Sequence, residues 1–331
     1  MKTVSLVLLC LLPLGSFVRA DHGAFVFPGK GATSSQATWG HREGLRIGLA
    51  PNPGPEGLIR VYAPYLHQAY PRMVNFISIE PLVRGEAARG QSELEMSRDR
   101  PGEQGLSFWA TGSLSEKRRP EAPFPGFVDP VTGSLHVFIH TEPFANGAQP
   151  VVECVFVSEA PREVLFIVHA ARESADMVQC VLSSTMGNYG LLRRLHFGNE
   201  LAVTTRDLWE ESDRLDRLGF YPWRTLAVSH AALLSSGRYQ VGLSSDVRAP
   251  SDADYEEGVP KGWRYAGKKA FHYWQVESAE EVTVSLNARR TFWRTDALIP
   301  GGLAFENFEL NQPFVSGQRL WFGIQPEGER G

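Results

Sequence analysis

Cysteine is scarce in this chain, with 3 in 331 residues. One of them, Cys10, falls within the first twenty residues, where Leu9 precedes it and apolar residues follow, a setting that argues against a lipid anchor. Cys154 and Cys180 remain, enough for one bridge or for two buried thiols. Neither has a His or Cys close by in sequence, so a zinc site and a cysteine nucleophile find no support. Massed basic residues are missing too: Lys and Arg are dispersed, without the electrostatic footprint of a nucleic-acid binder. Beyond residue 20 no apolar stretch reaches the roughly 18 residues that a membrane helix needs, so no membrane span is expected. There is no internal repeat and no low-complexity tract.

What is present begins at the N-terminus. Lys2 supplies a positive start, Val4 to Leu14 form an apolar run too short to cross a bilayer, and Val18-Arg19-Ala20 is a small-residue cleavage site ahead of Asp21. Residues 1–20 are therefore expected to be a signal peptide and residues 21–331 one mature domain, secreted or periplasmic. Lys2 and Arg19 leave with the peptide, taking the balance from 33 basic against 37 acidic residues to 31 against 37. Export favours a polysaccharide or oligosaccharide as partner over nucleotides or nucleic acid.

Period-two patterning dominates the rest. Gly57 to Ala63, Val74 to Ile79, Leu106 to Ala110, Leu135 to His140, Val151 to Val157, Glu163 to Ala170, Met177 to Ser183, Tyr239 to Leu243, His272 to Val276, Val282 to Leu286, Leu303 to Leu310 and Leu320 to Ile324 read as strands, punctuated by Gly, Pro, Asn and Asp. Many strands and scarcely any helix predict an all-β fold: a two-sheet antiparallel β-sandwich, of jelly-roll or supersandwich type, with one short helix. That helix is expected at Thr204 to Leu218, with a Thr cap, Leu208, Leu215 and Leu218 at helical spacing, and a stop at Gly219. Polar stretches at Arg84 to Gly105, Glu116 to Gly133 and Ser244 to Lys269 are long for a sandwich, which marks them as functional loops or poorly ordered ones.

Candidate chemistry gathers in a few places. Asn188 and Tyr189 sit in a turn between Gly187 and Gly190, followed by Arg193 and Arg194. β-Elimination of a uronate needs an amide or cation on the carboxylate and a Tyr or His to move the proton, and these residue types suit it; a tight turn with a core tyrosine is the alternative. His136 and His140 share one strand face, with Glu142 nearby, but at i and i+4 they are roughly 13 Å apart and cannot hold one metal together. Aromatics interleaved with arginine, including Trp223, Arg224, Trp263, Tyr265, Tyr273 and Trp274, suit sugar rings that stack on aromatic planes, or else fill a sandwich core. Asn307 and Glu309 share a face of their strand, whereas Glu306 and Glu309, three apart, are expected on opposite faces. A hydrolase pair would then have to recruit a distant acid such as Glu80, Glu93 or Glu95. Asp252, Asp254 and Glu256 form an acidic loop able to hold calcium, although Glu257 occupies the place where an EF-hand turn has glycine; no other metal or cofactor is expected.

The run Arg89-Gly90-Gln91-Ser92-Glu93-Leu94-Glu95 resembles the R-S/T-E-L-R strand of jelly-roll alginate lyases, and the strand ending at His140 follows it in the order of their Q-x-H motif. The resemblance covers about a dozen residues. Gly90 and Gln91 separate the arginine from Ser92, Phe138 stands at the glutamine position, and no Y-F-K-A-G-x-Y-x-Q strand occurs near the C-terminus. It implies that Arg89 neutralises a uronate carboxylate and that His140 is the base. The expected activity is a polysaccharide lyase with His140, Asn188, Tyr189 and Arg193 at the reaction and Arg89, Arg194, the aromatic set, Asn307 and Glu309 on the substrate. A noncatalytic glycan-binding or envelope-structural protein is the second expectation and a glycoside hydrolase the third.

Overall fold

Alternation of apolar and polar side chains becomes alternation of buried and outward faces, because a pleated strand sends successive residues to opposite sides. A computed structural model of the protein describes residues 23–29, 32, 37–49, 56–67, 73–185, 187–228 and 230–328; the expected signal peptide lies outside them. Among the described residues, two antiparallel sheets carry nearly all the regular structure.

The nine-stranded sheet runs in the order β1 (Phe25–Val26), β2 (Thr38–His41), β3 (Arg46–Gly48), β4 (Ile59–Tyr62), β5 (Met73–Val83), β11 (Met177–Thr185), β18 (Ala304–Asn311), β17 (Thr283–Arg289) and β14 (Arg224–Ala227). The ten-stranded sheet runs β13 (Glu200–Thr204), β12 (Leu192–Phe197), β15 (Tyr239–Ser245), β16 (Ala270–Val276), β19 (Gln318–Pro326), β10 (Glu163–Ala170), β9 (Pro150–Phe156), β8 (Leu135–Thr141) and β6 (Phe108–Thr111), with β7 (Phe127–Val128) also on β8. This is the two-sheet sandwich that the patterning predicts.

Between the sheets, Leu135, Val137 and Ile139 of β8, Phe166 of β10, Trp274 of β16, Phe322 of β19, Ile77 and Ile79 of β5 and Leu286 of β17 belong to one buried cluster. The Trp274 and Phe322 rings meet at 4.7 Å. Cys154 of β9 and Cys180 of β11 lie in opposite sheets as buried free thiols, so of the two readings of that pair the unbridged one holds.

The expected helix is cut short. Only α1 (Thr205–Leu208) forms, with the Asp207 carboxylate accepting the Thr204 N–H at 2.7 Å. Trp209 turns extended and buries its ring against Phe305, its Nε1 donating to the Pro222 carbonyl at 2.7 Å. Downstream, Asp216 accepts the N–H groups of Leu218 and Phe220 at 2.8 and 2.9 Å, the local side-chain bonding that competes with helix. Leu215 and Leu218, the supposed apolar stripe, are 43% and 41% exposed.

Candidate functional site

The site is built on the outward face of the nine-stranded sheet, and a register slip makes it. Along β17 and β18, Leu286 faces Phe308 but Ala288 faces Phe305, so three steps of β18 match two of β17. Such a β-bulge lets Phe305 and Phe308 both point into the core and turns the two residues between them, Glu306 and Asn307, outward together. Glu309 faces the same way, since its carboxylate meets Arg89 above the sheet at 2.9 Å. The expectation that Glu306 and Glu309 point apart is thus corrected: alternation fails at the bulge.

Neighbouring strands complete the floor. From β5 come Ser78 and Glu80, the hydroxyl donating to the carboxyl at 2.8 Å. On β11, the Thr185 hydroxyl donates to the Asn307 side-chain oxygen at 2.7 Å. Ser285 of β17 bonds the Thr225 hydroxyl at 2.8 Å and accepts Asn311 at 2.9 Å. After β5 the chain doubles back beside it where β4 has ended, Gly90 N–H donating to Pro81 and Ser92 N–H to Ile79. That return brings Arg89 over the floor, 3.4 Å from Glu80 and 2.9 Å from Glu309. Arg289 of β17 is held by the carbonyls of Thr291 and Leu218 and lies against the rings of Phe220 and Trp293 at 4.7 and 4.8 Å.

Burial sets the charge state. Loss of water pushes the Glu80 carboxyl up to about 8, assisted by the charge of Glu309 and opposed by Arg89. It pushes Glu306 up to about 7 against the pull of Arg289, and it raises Glu93 as well. Burial thus favours the protonated forms of Glu80 and Glu306 on a face that also carries the guanidiniums of Arg89 and Arg289.

The turn that precedes β12 is stitched to this face. Gly187 packs so closely on β18 that a Cβ there would lie 2.0 Å from the Phe305 carbonyl oxygen, and its N–H reaches the Glu306 carbonyl at 3.4 Å. Asn188 follows, 1% exposed, with neither amide atom hydrogen-bonded, and one Glu306 oxygen is likewise unpartnered. Tyr189 packs edge-on to Trp263 at 6.4 Å and against Phe292, and its phenol influences Arg289. Of the residues expected at the site, Arg89 and Glu309 meet here as an ion pair and Asn307 lies on the same strand face, whereas Tyr189 packs with Trp263 and Phe292 in a second apolar cluster and Asn188 is buried in the turn beside it. Glu80, Glu306 and Arg289 join that face; Glu80 was legible only as a distant acid, and nothing in the sequence marks the bulge that brings Glu306 in.

The other expected residues lie elsewhere. His140 is on the opposite sheet, where its Nε2 meets the Thr111 hydroxyl at 2.9 Å and its ring stacks on Trp109; burial lowers its proton affinity. Arg193 is a structural cation, bound to Asp246 at 2.9 Å and to the carbonyls of Pro300, Gly302 and Leu303. Arg194 lies on β12 of the ten-stranded sheet, Arg224 is tied to Leu208 and Asp213, and Tyr265 is buried with its hydroxyl on Lys268. Tyr273 covers Gly323 on the outside of the ten-stranded sheet while Trp274 points into the core, so the two cannot stack on one ligand. Trp263 packs with Tyr189 and Phe292 in the second apolar cluster, and Trp223, 44% exposed, immediately precedes edge strand β14. Among the described residues no three His, Cys, Asp or Glu side chains converge on a metal position. In the acidic loop the Glu256 carboxylate instead accepts the Leu298 N–H at 3.0 Å, and Asp252 accepts the Ser251 hydroxyl.

No protein family, curated protein or solved structure matches this chain.

Proposed function

We propose that the protein is an exported carbohydrate-active enzyme that cleaves glycosidic linkages on the outward face of its nine-stranded sheet. The observation that carries this reading is the placement of Glu80, Glu306 and Glu309 on one face of the sheet, Glu80 and Glu309 joined through Arg89, with burial raising Glu80 to about 8 and Glu306 to about 7. Glu306, with an unpartnered oxygen, is the proton donor to the leaving glycosidic oxygen; Glu309, oriented by Arg89, is the carboxylate that supports the developing positive charge or activates water. Asn307, Asn311, Ser285 and Thr185 offer the directional donors and acceptors that sugar hydroxyls need, and Trp293 and Phe220, packed on Arg289, offer apolar planes.

A polysaccharide lyase is the second reading, and Asn188 favours it. A buried amide with no partner is costly, and a uronate carboxylate satisfies it while a protonated Glu306 adds a second hydrogen bond. Tyr189 would then move the proton at C5. One experiment separates the readings: incubation of the protein with alginate, glucuronan, ulvan, pectin and neutral glucans and xylans, following reducing ends and the ultraviolet absorbance of an unsaturated product. New reducing ends without the chromophore support hydrolysis, and both signals together support elimination. Binding without either makes the protein a glycan-binding module, and no interaction with any of them overturns the proposal.

A further inference from the structure

A second constellation lies on the outward face of the other sheet. Ser134, at the end of the turn leading into β8, places Oγ 2.8 Å from Nε2 of His136. His136 Nδ1 is 2.7 Å from one oxygen of Glu153 on β9, and the other oxygen lies 2.9 Å from Nε2 of His169 on β10. Proton positions follow from these contacts. The two histidine partners hold Glu153 down at about 2, against the cost of burial, so it only accepts and His136 carries its proton on Nδ1. Nε2 then accepts, the Ser134 hydroxyl donates to it, and Thr132 Oγ1, 2.6 Å from Ser134 Oγ, donates to the serine. Hydroxyl, imidazole and carboxylate stand in the order and spacing of an activated serine, with the acid itself oriented by a fourth side chain.

We propose that Ser134, His136 and Glu153 form an acyl-transfer site that hydrolyses small carboxylic esters. The Ser134 hydroxyl attacks the ester carbonyl carbon as its proton passes to His136 Nε2 and the carbonyl π pair moves to oxygen. Collapse expels the alcohol, which takes that proton and leaves an acyl-serine. Water then gives a proton to His136 as its oxygen attacks the acyl carbon; the serine leaves, recovers the proton, and the acid departs. Ester plus water gives acid plus alcohol, with no further reactant. His136 and His169 are each 19% exposed at the side chain and open the site to solvent, while Ser134 is recessed at 4%. The narrower assignment to O-acetyl groups of a glycan rests on the function proposed above; the ester chemistry does not.

The test uses sugar-free probes on the full chain, so its outcome is separable from that of the glycan reading. A fluorophosphonate is expected to form one covalent adduct at Ser134, located by peptide mass spectrometry, and p-nitrophenyl acetate to be hydrolysed above background. Ser134→Ala and His136→Asn should each lower that hydrolysis at least about a hundredfold. Absence of an adduct at Ser134 in the unaltered protein, or ester hydrolysis undiminished in Ser134→Ala, overturns the proposal.

Discussion

Glu306 shows how one side chain ties stability to chemistry. A carboxyl raised from 4.5 to about 7 binds its proton more tightly in the folded protein than in the unfolded chain. Stability from this group is therefore complete below pH 4.5 and drains away as pH climbs through about 7, a loss of roughly 3 kcal/mol once ionisation is complete. Glu306→Gln should flatten the fall in melting temperature between pH 5 and 8 and make the variant the more stable protein at pH 8, as calorimetry across that range would reveal. Arg89 acts in the opposite sense. Arg89→Met strips the partner from Glu80 and Glu309 and should cost about 3–5 kcal/mol in urea titrations at pH 8, with less lost at pH 5, where the freed carboxyls can take up protons.

Elements carry what single residues cannot. The strand from Glu163 to Ala170 is readable from alternation alone, as are the cores of β8, β9, β11 and β16, because both neighbours of each are strands and one face is wholly buried. Short strands such as β1 and β7, two residues each, offer too few positions for a period to show. The helix expected from Thr204 onward fails because Trp209 gains more by burying against Phe305 than by continuing the turn, and leucine spacing carries no information about that partner. Part of that face was legible for a related reason: Arg89, Asn307 and Glu309 stand out by residue type, whereas the bulge that turns Glu306 outward is a property of two paired strands. Gly187→Ala tests the stitch between the turn and β18. With a Cβ 2.0 Å from a backbone oxygen the turn must shift, so this variant should lose glycan cleavage by more than its drop in melting temperature explains, measured by reducing-end assay beside calorimetry.

At the scale of the whole molecule, two large sheets bury one apolar cluster between them and leave two outward faces free to differ. One holds the glutamates and the other the His136 network and the stacked His140 and Trp109. Among the described residues no disulfide joins the layers, and burial raises both the Cys154 and the Cys180 thiols. Iodoacetamide should leave both unmodified in the native protein and alkylate both after unfolding without reductant; a requirement for reductant would reveal a bridge. We propose that Glu306 and Glu309, on the outward face of the nine-stranded sheet, carry out glycosidic cleavage. The most direct measurement is the rate of reducing-end release, on whichever polysaccharide the wild type cleaves, for Glu306→Gln, Glu309→Gln and His140→Ala. Each glutamate variant should lose about a hundredfold or more in kcat with KM little changed, while His140→Ala keeps wild-type turnover; full activity in Glu306→Gln and Glu309→Gln, or its loss in His140→Ala alone, would rule out these roles.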